Sequence, residues 1–350
     1  MKKRRVAAIT GEGGFIVVEE PVPEPEKGQV LVDVKATLIS PGTELGTALH
    51  FRANPDPAVE PMTFGYGNAG VVIGQGPGCD DIPLGMRVAC MGGDYALHSD
   101  FACVPRNLLV PIPEGVSFEE AAFAHLGATA LHAIQRAQLQ YGEYVVVLGL
   151  GIVGQCVVQM GMGSGTHVVA LDRLAARLET ARKIGGVELA LNSGEEEDLA
   201  GRVKEFTRGY GLDCAIFAFG GDITEPLKET AGMMKVAPDG HKMGRIVIVG
   251  GSTFHAAGWP VAMGNMDIRP SARPGPGYHD VEWEHGRDYP PVFVQWTTRR
   301  NLEEVLVMAS LGRLDFKGLI THRLPLEDFG QGAEALISTP NEALGVMLIP

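Results

Sequence analysis

A glycine-rich turn between an apolar strand and a helix constrains the fold of this chain more than any other feature. Residues 149–154 read Gly-Leu-Gly-Ile-Val-Gly and directly follow the apolar run Tyr144–Leu148. The first glycine allows a tight turn, the second lets a pyrophosphate approach the backbone, and the third lets the helix pack on the strand. The helix N-terminus adds unpaired N–H groups that favour phosphate. The motif therefore predicts a dinucleotide site in a doubly wound α/β domain.

An acidic residue at the end of the next apolar strand predicts which dinucleotide is bound. The run Val168–Leu171 ends at Asp172, 18 residues beyond Gly154. Its carboxylate can accept hydrogen bonds from both ribose hydroxyls, and its charge repels a 2′-phosphate, so we expect NAD rather than NADP. The neighbouring Arg173 could instead accept a 2′-phosphate or stack on adenine. The structural alternatives are that Asp172 is an ordinary helix N-cap and that the glycines form the tight turn of some other doubly wound protein.

Strands and helices alternate around this motif. Apolar strands are predicted at 144–149, 167–172, 214–218 and 245–250, with helices at 153–162, 174–184 and 224–234. Such alternation indicates a parallel sheet. The predicted cofactor residues lie in the glycine turn and at nearby strand and helix ends: Gly149, Gly151, Ile152, Val153, Gly154, Asp172, Arg173, Arg177, Thr129, Phe219, Gly250 and Gly251.

Charge and cysteine content exclude several classes of protein. With 29 Lys and Arg against 42 Asp and Glu, the net charge of −13 argues against binding to nucleic acid. Five scattered cysteines indicate neither a disulfide framework nor a zinc cluster, and predict a cytoplasmic protein. The basic start of the chain precedes an apolar stretch, Val6–Ile9, too short for a signal peptide. The run Tyr144–Leu171 lacks charged residues, but its glycine spacing favours a buried strand–turn–helix over a membrane span.

The remaining sequence predicts a second kind of domain. The first ~120 residues contain short strands separated by Gly and Pro turns, and Ser117 with Glu120 forms a capping box that opens a short helix. The stretch 270–291 is rich in Pro, Gly, His and aromatic residues, which is typical of a functional loop. A helix at 302–311 and a strand–helix–strand at 319–349 complete the chain.

The order of these parts resembles the medium-chain dehydrogenase/reductase family. Gly42-Thr43-Glu44 is similar to the family's Gly-Thr-Asp segment, residues 65–70 to its Gly-His-Glu-x-x-Gly segment, and residues 113–122 to the entry into its cofactor domain. The resemblance implies a GroES-like β-rich catalytic domain over 1–124 and 296–350, and a Rossmann domain over 125–295. It places the active site in the cleft between the two domains. It also implies a homodimer or homotetramer.

The chain departs from this family where many members bind a catalytic zinc. Their ligands are a Cys before Gly-Thr-Asp, the His of Gly-His-Glu, and a Cys or Glu four residues before a Thr. Here those positions hold Pro41, Tyr66 and His125, of which only the histidine is a workable ligand. The four-Cys structural zinc lobe is absent as well. We therefore expect a zinc-independent member with no bound metal.

A narrower resemblance suggests the substrate class. Residues 39–44, 273–278, 288–290 and 295–301 are similar to a zinc-less subgroup. The subgroup includes bacteriochlorophyllide dehydrogenase-like proteins and the dehydrogenase half of two-domain oxidoreductases of sugar metabolism. It implies hydride transfer that interconverts a secondary alcohol and a ketone, on a sugar or cyclitol derivative.

Without zinc, polar side chains must stabilise charge on the reacting oxygen. Tyr66 offers a phenolic donor, and His125 an acid or base with a pKa near neutrality. Thr43 matches the hydroxyl that passes the proton outward, and Glu44 could orient Tyr66 or His125. Each has a structural alternative: a packed strand residue for Tyr66, a core histidine for His125, and a helix cap at Leu45 for Glu44. We expect His98, outside this set, to be structural.

Two other functions fit parts of the sequence. Zinc-less relatives include NAD(P)H-dependent enone or quinone reductases. Asp172 and the residue sequence of the glycine turn argue against this function here. Loss of every metal ligand also suits a dinucleotide-binding protein without turnover. The aromatic residues between Tyr278 and Arg300 could bind a sugar face or form a subunit contact.

Overall fold

The structure is a computed structural model that describes residues 2–255, 258 and 263–350. Contacts divide the chain into two compact units. Unit 1 comprises Met1–Ala128 and Pro274–Pro350, and unit 2 comprises Thr129–Arg273.

The strands follow one another in short segments along both units. They are β1 (Lys3–Ile9), β2 (Phe15–Pro21), β3 (Gln29–Leu38), β4 (Met62–Thr63), β5 (Gly67–Gln75), β6 (Arg87–Met91), β7 (Phe101–Pro105), β8 (Leu109–Pro111), β9 (Tyr144–Leu148), β10 (His167–Asp172), β11 (Leu189–Asn192), β12 (Cys214–Phe217), β13 (Gly221–Asp222), β14 (Met243–Val249), β15 (Ser252–Thr253), β16 (Asn265–Ser271), β17 (Ile320–Pro325) and β18 (Gly345–Ile349).

The described residues form helices in both units. They are α1 (Pro41–Ala53), α2 (Phe118–Ala121), α3 (Ala124–Ala137), α4 (Ile152–Gly163), α5 (Ala175–Thr180), α6 (Leu199–Phe206), α7 (Thr224–Met233), α8 (Val281–Glu284), α9 (Thr298–Ser310) and α10 (Phe329–Ser338). A π-helical turn, Ala181–Gly185, extends α5.

Unit 1 is built on antiparallel strands. Its large sheet has the order β17-β18-β3-β5-β6-β8, with β7 also paired to β3, and a smaller sheet has the order β2-β1-β4. Only β17 and β18 in the large sheet run parallel. Helix α10 packs Phe329 and Ala333 against Val346 and Leu348, which buries one side of this sheet.

Unit 2 is a six-stranded parallel sheet with the order β11-β10-β9-β12-β14-β16. All five residues of β9 are buried, because this strand lies in the middle of the sheet with helices on its faces. The carboxyl ends of β9, β10 and β12 meet at one edge, since the strands run parallel. That edge carries the glycine turn, Asp172 and Phe219. The predicted α/β class and the predicted parallel sheet are confirmed.

The charge-free run Tyr144–Leu171 forms a strand, a helix and most of another strand of this sheet. Its apolar side chains are core residues of unit 2. Within the part of the chain that the structure describes, none of the helices is long and apolar enough to cross a bilayer.

Two features of unit 1 differ from the sequence analysis. Helix α1 lies in the region for which the sequence predicts only short strands and turns. It begins with Pro41, because the fixed φ of proline suits the first helical position. The segment from Pro274 also belongs to unit 1, whereas the sequence placed the return to the first domain at residue 296. Asn107 binds this segment through two hydrogen bonds. Its backbone N–H donates to Glu284 O (3.0 Å), and its side-chain amide donates to Trp283 O (2.6 Å).

Candidate functional site

The three glycines of the turn after β9 have separate geometric roles. Gly149 has φ +86°, which favours glycine, and a Cβ on Gly154 would lie 1.9 Å from Gly149 O. Gly151 has ordinary extended backbone angles, and a Cβ there would meet no atom within 4 Å. The first and third glycines are therefore needed by the fold. The second leaves open space at the N-terminus of α4, where a bound pyrophosphate would lie.

Asp172 connects this turn to the following segment. It is 8% exposed, its Oδ2 accepts the Leu150 N–H at 2.6 Å, and its Oδ1 accepts the Leu174 N–H at 2.9 Å. The N-cap of α5 is Leu174, so Asp172 is not the N-cap of that helix. Each carboxylate oxygen keeps a lone pair for a further donor. The glycine turn and this carboxylate thus form a donor and acceptor set that fits a dinucleotide with free ribose hydroxyls.

Cations and polar groups surround the carboxylate. Arg177 Nη1 lies 3.9 Å from Asp172 Oδ2, and Arg173 is exposed. The buried Gln155 side chain donates to Leu150 O (3.2 Å) and to Arg177 O (2.8 Å), which ties the glycine turn to α5.

The other predicted cofactor residues are spread along unit 2. Ile152 and Val153 form the first turn of α4. Phe219 is half-buried beside Gly149, and its carbonyl accepts from Ser252 Oγ at 2.8 Å. Gly250 and Gly251 are exposed after β14, and Gly251 O accepts the Gly221 N–H at 3.2 Å. Thr129 is half-buried in α3.

The predicted catalytic residues of unit 1 form a second cluster. The Tyr66 hydroxyl lies 2.5 Å from Ser40 Oγ, and it also interacts with the hydroxyl of Thr43, an exposed residue in the first turn of α1. Glu44 is buried, and its Oε2 accepts the Ser40 N–H at 2.7 Å. The alternative that Glu44 caps a helix is therefore partly correct. Glu44 binds the N-terminus of α1, but the helix begins at Pro41 instead of Leu45.

His125 packs beside Tyr66 at the start of α3. The two rings meet edge to face, with centroids 4.8 Å apart. Its Nδ1–H donates to Ala122 O at 3.0 Å, so Nε2 carries the lone pair. A Cβ on Gly67 would lie 2.2 Å from this ring, so only glycine lets the histidine occupy its place. His125 is a buried histidine and also a neighbour of the Tyr66 ring.

Both groups are neutral near pH 7. Burial and the nearby Glu44 charge raise the pKa of Tyr66 well above its usual value, and burial lowers the pKa of His125 to about 3. The expected acid or base with a pKa near neutrality is therefore wrong for His125. Tyr66 is a hydrogen-bond donor, and His125 an acceptor, over the range in which enzymes usually work.

Zinc does not fit this cluster. Pro41 has no ligand atom, the Tyr66 phenol keeps its proton, and Glu44 Oε2 already accepts a backbone N–H. Among the described residues, no group of three or more His, Cys, Asp or Glu is arranged to hold a metal ion.

The sequence gives no role to the hydroxyls of Ser40 and Thr37, although Ser40 directly precedes the Pro41 helix start, where N-cap residues occur. His98, expected to be structural, is fully buried, and its Nε2 lies 3.1 Å from Glu44 Oε2.

The aromatic residues between Tyr278 and Arg300 do not form one exposed face. Trp283 is fully buried beneath Gly277 and stacks on Tyr289 at 6.0 Å. Tyr278 accepts the Gly93 N–H with its hydroxyl at 2.8 Å. Trp283 is therefore a core residue and cannot present its ring to a sugar.

Comparisons with known proteins relate the chain to alcohol and polyol dehydrogenases. Residues 153–271 match the family described as zinc-binding dehydrogenase. That stretch contains none of Pro41, Tyr66 and His125. The sorbitol dehydrogenase of Halalkalibacterium halodurans is 28% identical over 243 residues, which cover 61% of this chain and 69% of that protein.

Solved structures confirm the two-domain architecture. The alcohol dehydrogenase of Thermus sp. ATN1 superposes with a TM-score of 0.77 at 23% identity over 99% of each chain. A protein of Escherichia coli CFT073, described as a short chain alcohol dehydrogenase complexed with NADH, gives a TM-score of 0.76 at 20% identity over 100% of each chain. The fold is that of medium-chain alcohol dehydrogenases, with a GroES-like and a Rossmann domain.

Gly151→Ala tests the dinucleotide site. We expect the free energy of unfolding to change by less than about 0.5 kcal/mol, because the added Cβ meets open space, while the Kd for NADH rises about tenfold or more. Fluorescence titration and urea unfolding measure the two quantities. Gly154→Ala is the matched control and should lose stability through its contact with Gly149 O. Wild-type NADH affinity in Gly151→Ala would show that no pyrophosphate passes this glycine.

His125→Gln tests the burial of the neutral imidazole. An unfolded histidine binds a proton below about pH 6.5, whereas folded His125 has a pKa of about 3, so the wild type loses stability as the pH falls between these values. The variant should lose less stability between about pH 7 and about pH 4.5, measured by urea unfolding. The exposed His50→Gln, in the same unit, should behave as the wild type does. Parallel losses in His125→Gln and wild type would contradict the assignment.

Proposed function

We propose that this protein is an NAD-dependent, zinc-independent oxidoreductase that interconverts a secondary alcohol and a ketone by hydride transfer. The observation that carries the proposal is the contact of the Ser40 and Tyr66 hydroxyls, 2.5 Å apart, since Tyr66 stands at a position where many related enzymes have a zinc ligand. A neutral hydroxyl donor can stabilise charge on a reacting oxygen without a metal.

The residues of unit 1 have distinct tasks in this reaction. Tyr66 donates a hydrogen bond to the oxygen of the ketone, and its raised pKa keeps it in the donating form. In alcohol oxidation the substrate O–H instead donates to the Tyr66 oxygen, and Tyr66 passes its own proton to Thr43, which it contacts and which is exposed to the water that takes up the proton. The glycine turn and Asp172 would hold NAD, which would supply the acceptor for the hydride of the carbinol carbon. In the reverse direction the same hydroxyls return the proton to the carbonyl oxygen.

The preference for NAD rests on Asp172. Two backbone N–H groups hold its carboxylate at the edge of the sheet, and its charge disfavours a 2′-phosphate. The exposed Arg173 is then free to contact the adenine.

We assign the substrate to polyols, sugars or cyclitols. The similarity to a sorbitol dehydrogenase supports this class. So does the resemblance to a zinc-less subgroup associated with sugar metabolism. The same resemblance leads us to propose a homodimer or homotetramer.

A substrate panel tests the reaction. We expect NADH formation with one class among polyols, sugars, glycosides and cyclitols, in the presence of a strong chelator. Tyr66→Phe should lower this turnover about 10²-fold, because the donor to the substrate oxygen is lost. The exposed Tyr210→Phe is the matched control and should retain wild-type turnover. Reduction of enones or quinones without oxidation of any alcohol, or undiminished turnover in Tyr66→Phe, would contradict the proposal.

Asp172→Ser tests the cofactor preference. Loss of charge-assisted hydrogen bonds to the ribose should raise the KM for NAD about 10- to 100-fold. Discrimination against NADP should relax, because the repelling charge is gone. Steady-state rates with both cofactors measure this, and the exposed Asp239→Ser serves as control. An unchanged ratio of kcat/KM for NAD and NADP would remove Asp172 from the assignment.

A further inference from the structure

We propose that His98 is a positioning residue that fixes the Tyr66 hydroxyl through Glu44 and Ser40. This inference rests on the proposed function, because it assumes that Tyr66 acts on the substrate. His98 itself has no place in the reaction as described above.

The first step is the contact between His98 and Glu44. His98 is fully buried, Glu44 is 6% exposed, and Nε2 lies 3.1 Å from Oε2. A buried carboxylate requires a charged or hydrogen-bonding partner, because burial without one is costly. We assign the shared proton to Nε2, since Oε2 is also the acceptor of the Ser40 N–H. His98 thereby holds the carboxylate in the position where it binds Ser40.

The second step is the fixed orientation of the His98 ring. The Thr37 hydroxyl donates to Gly67 O at 2.7 Å, so His98 Nδ1, 2.5 Å from Thr37 Oγ1, is the donor in its contact with Thr37. The Phe64 ring packs against the imidazole edge to face at 5.2 Å. With both ring nitrogens bound and one edge packed, the imidazole has a single orientation, and Glu44 is constrained by it.

The third step is the transfer of this constraint to Tyr66. Ser40 is the N-cap of α1, but its side chain makes no capping hydrogen bond to the helix. Glu44, in the first turn, binds the Ser40 N–H and places a negative charge near the positive end of the helix. Ser40 Oγ is therefore free of its usual capping role and contacts Tyr66 at 2.5 Å.

The contacts from His98 through Glu44 and Ser40 to Tyr66 predict different effects for different substitutions. His98→Phe keeps a buried ring but removes both nitrogens, so Glu44 loses its partner and Ser40 moves relative to Tyr66. His98→Gln retains an amide N–H toward Glu44 and should preserve the geometry. Glu44→Leu removes the acceptor of both the His98 Nε2–H and the Ser40 N–H and should disturb Ser40 in the same way as His98→Phe.

The experiment measures Tyr66 directly and by catalysis. The full-length protein is prepared with ¹³Cζ-labelled tyrosine, and the resonance of Tyr66 among the seven tyrosines is assigned with Tyr66→Phe. In His98→Phe we expect this resonance to move, and kcat to fall about 10- to 100-fold with KM changed less than about twofold. His98→Gln should restore both. His241→Phe, which alters an exposed His–Asp pair, should change neither.

The outcomes separate the inference from the proposed function. An unmoved Tyr66 resonance in both His98→Phe and Glu44→Leu overturns the inference, as does equal loss of kcat in His98→Phe and His98→Gln. If His98→Phe does not fold, Glu44→Leu provides the same resonance and kcat readouts. Wild-type turnover in Tyr66→Phe instead overturns the proposed function, and that result is obtained without any substitution at His98.

Discussion

The contact between Gly154 and the carbonyl of Gly149 determines how the parallel sheet of unit 2 meets its first helix. A Cβ at residue 154 would lie 1.9 Å from that oxygen, so α4 can approach β9 this closely only through glycine. The approach places the N-terminus of α4 at the carboxyl edge of the sheet, where Asp172 binds the Leu150 N–H. The dinucleotide site therefore depends on a packing constraint within unit 2 before any cofactor contact is made.

Unit 1 uses a different principle to build its site. A buried carboxylate, Glu44, accepts from a backbone N–H and a buried histidine, and its charge is neutralised locally. Electrostatic interactions of this kind are strong because water is excluded, and here both partners bind the same carboxylate oxygen, Oε2. The result is a pair of hydroxyls, Ser40 and Tyr66, held 2.5 Å apart.

The protonation states limit the chemistry that this cluster can perform. Burial keeps His125 neutral and Tyr66 protonated across the working pH range, so neither changes charge to carry a proton as a free histidine would. Tyr66 can still donate a hydrogen bond and relay a proton through its hydroxyl, and His125 can still accept a hydrogen bond. An enzyme of this type depends on orientation and preorganised dipoles more than on titration, which is consistent with a network of short contacts around a single carboxylate.

The sequence determined much of unit 2 because the features there are local. The glycine turn, Asp172 and four of the six strands of the parallel sheet follow from spacing and apolar periodicity within short segments, whereas the edge strands β11 and β16 were not predicted. The alternation of short strands also predicted the β-rich character of unit 1. Tertiary structure decided the rest of unit 1: His98 reaches Glu44 across 54 positions and Ser40 reaches Tyr66 across 26. Trp283 became a core residue, and burial moved the pKa of His125 away from neutrality. Pairing between distant residues and exclusion of water arise only when the chain packs, and neither leaves a local pattern in the sequence.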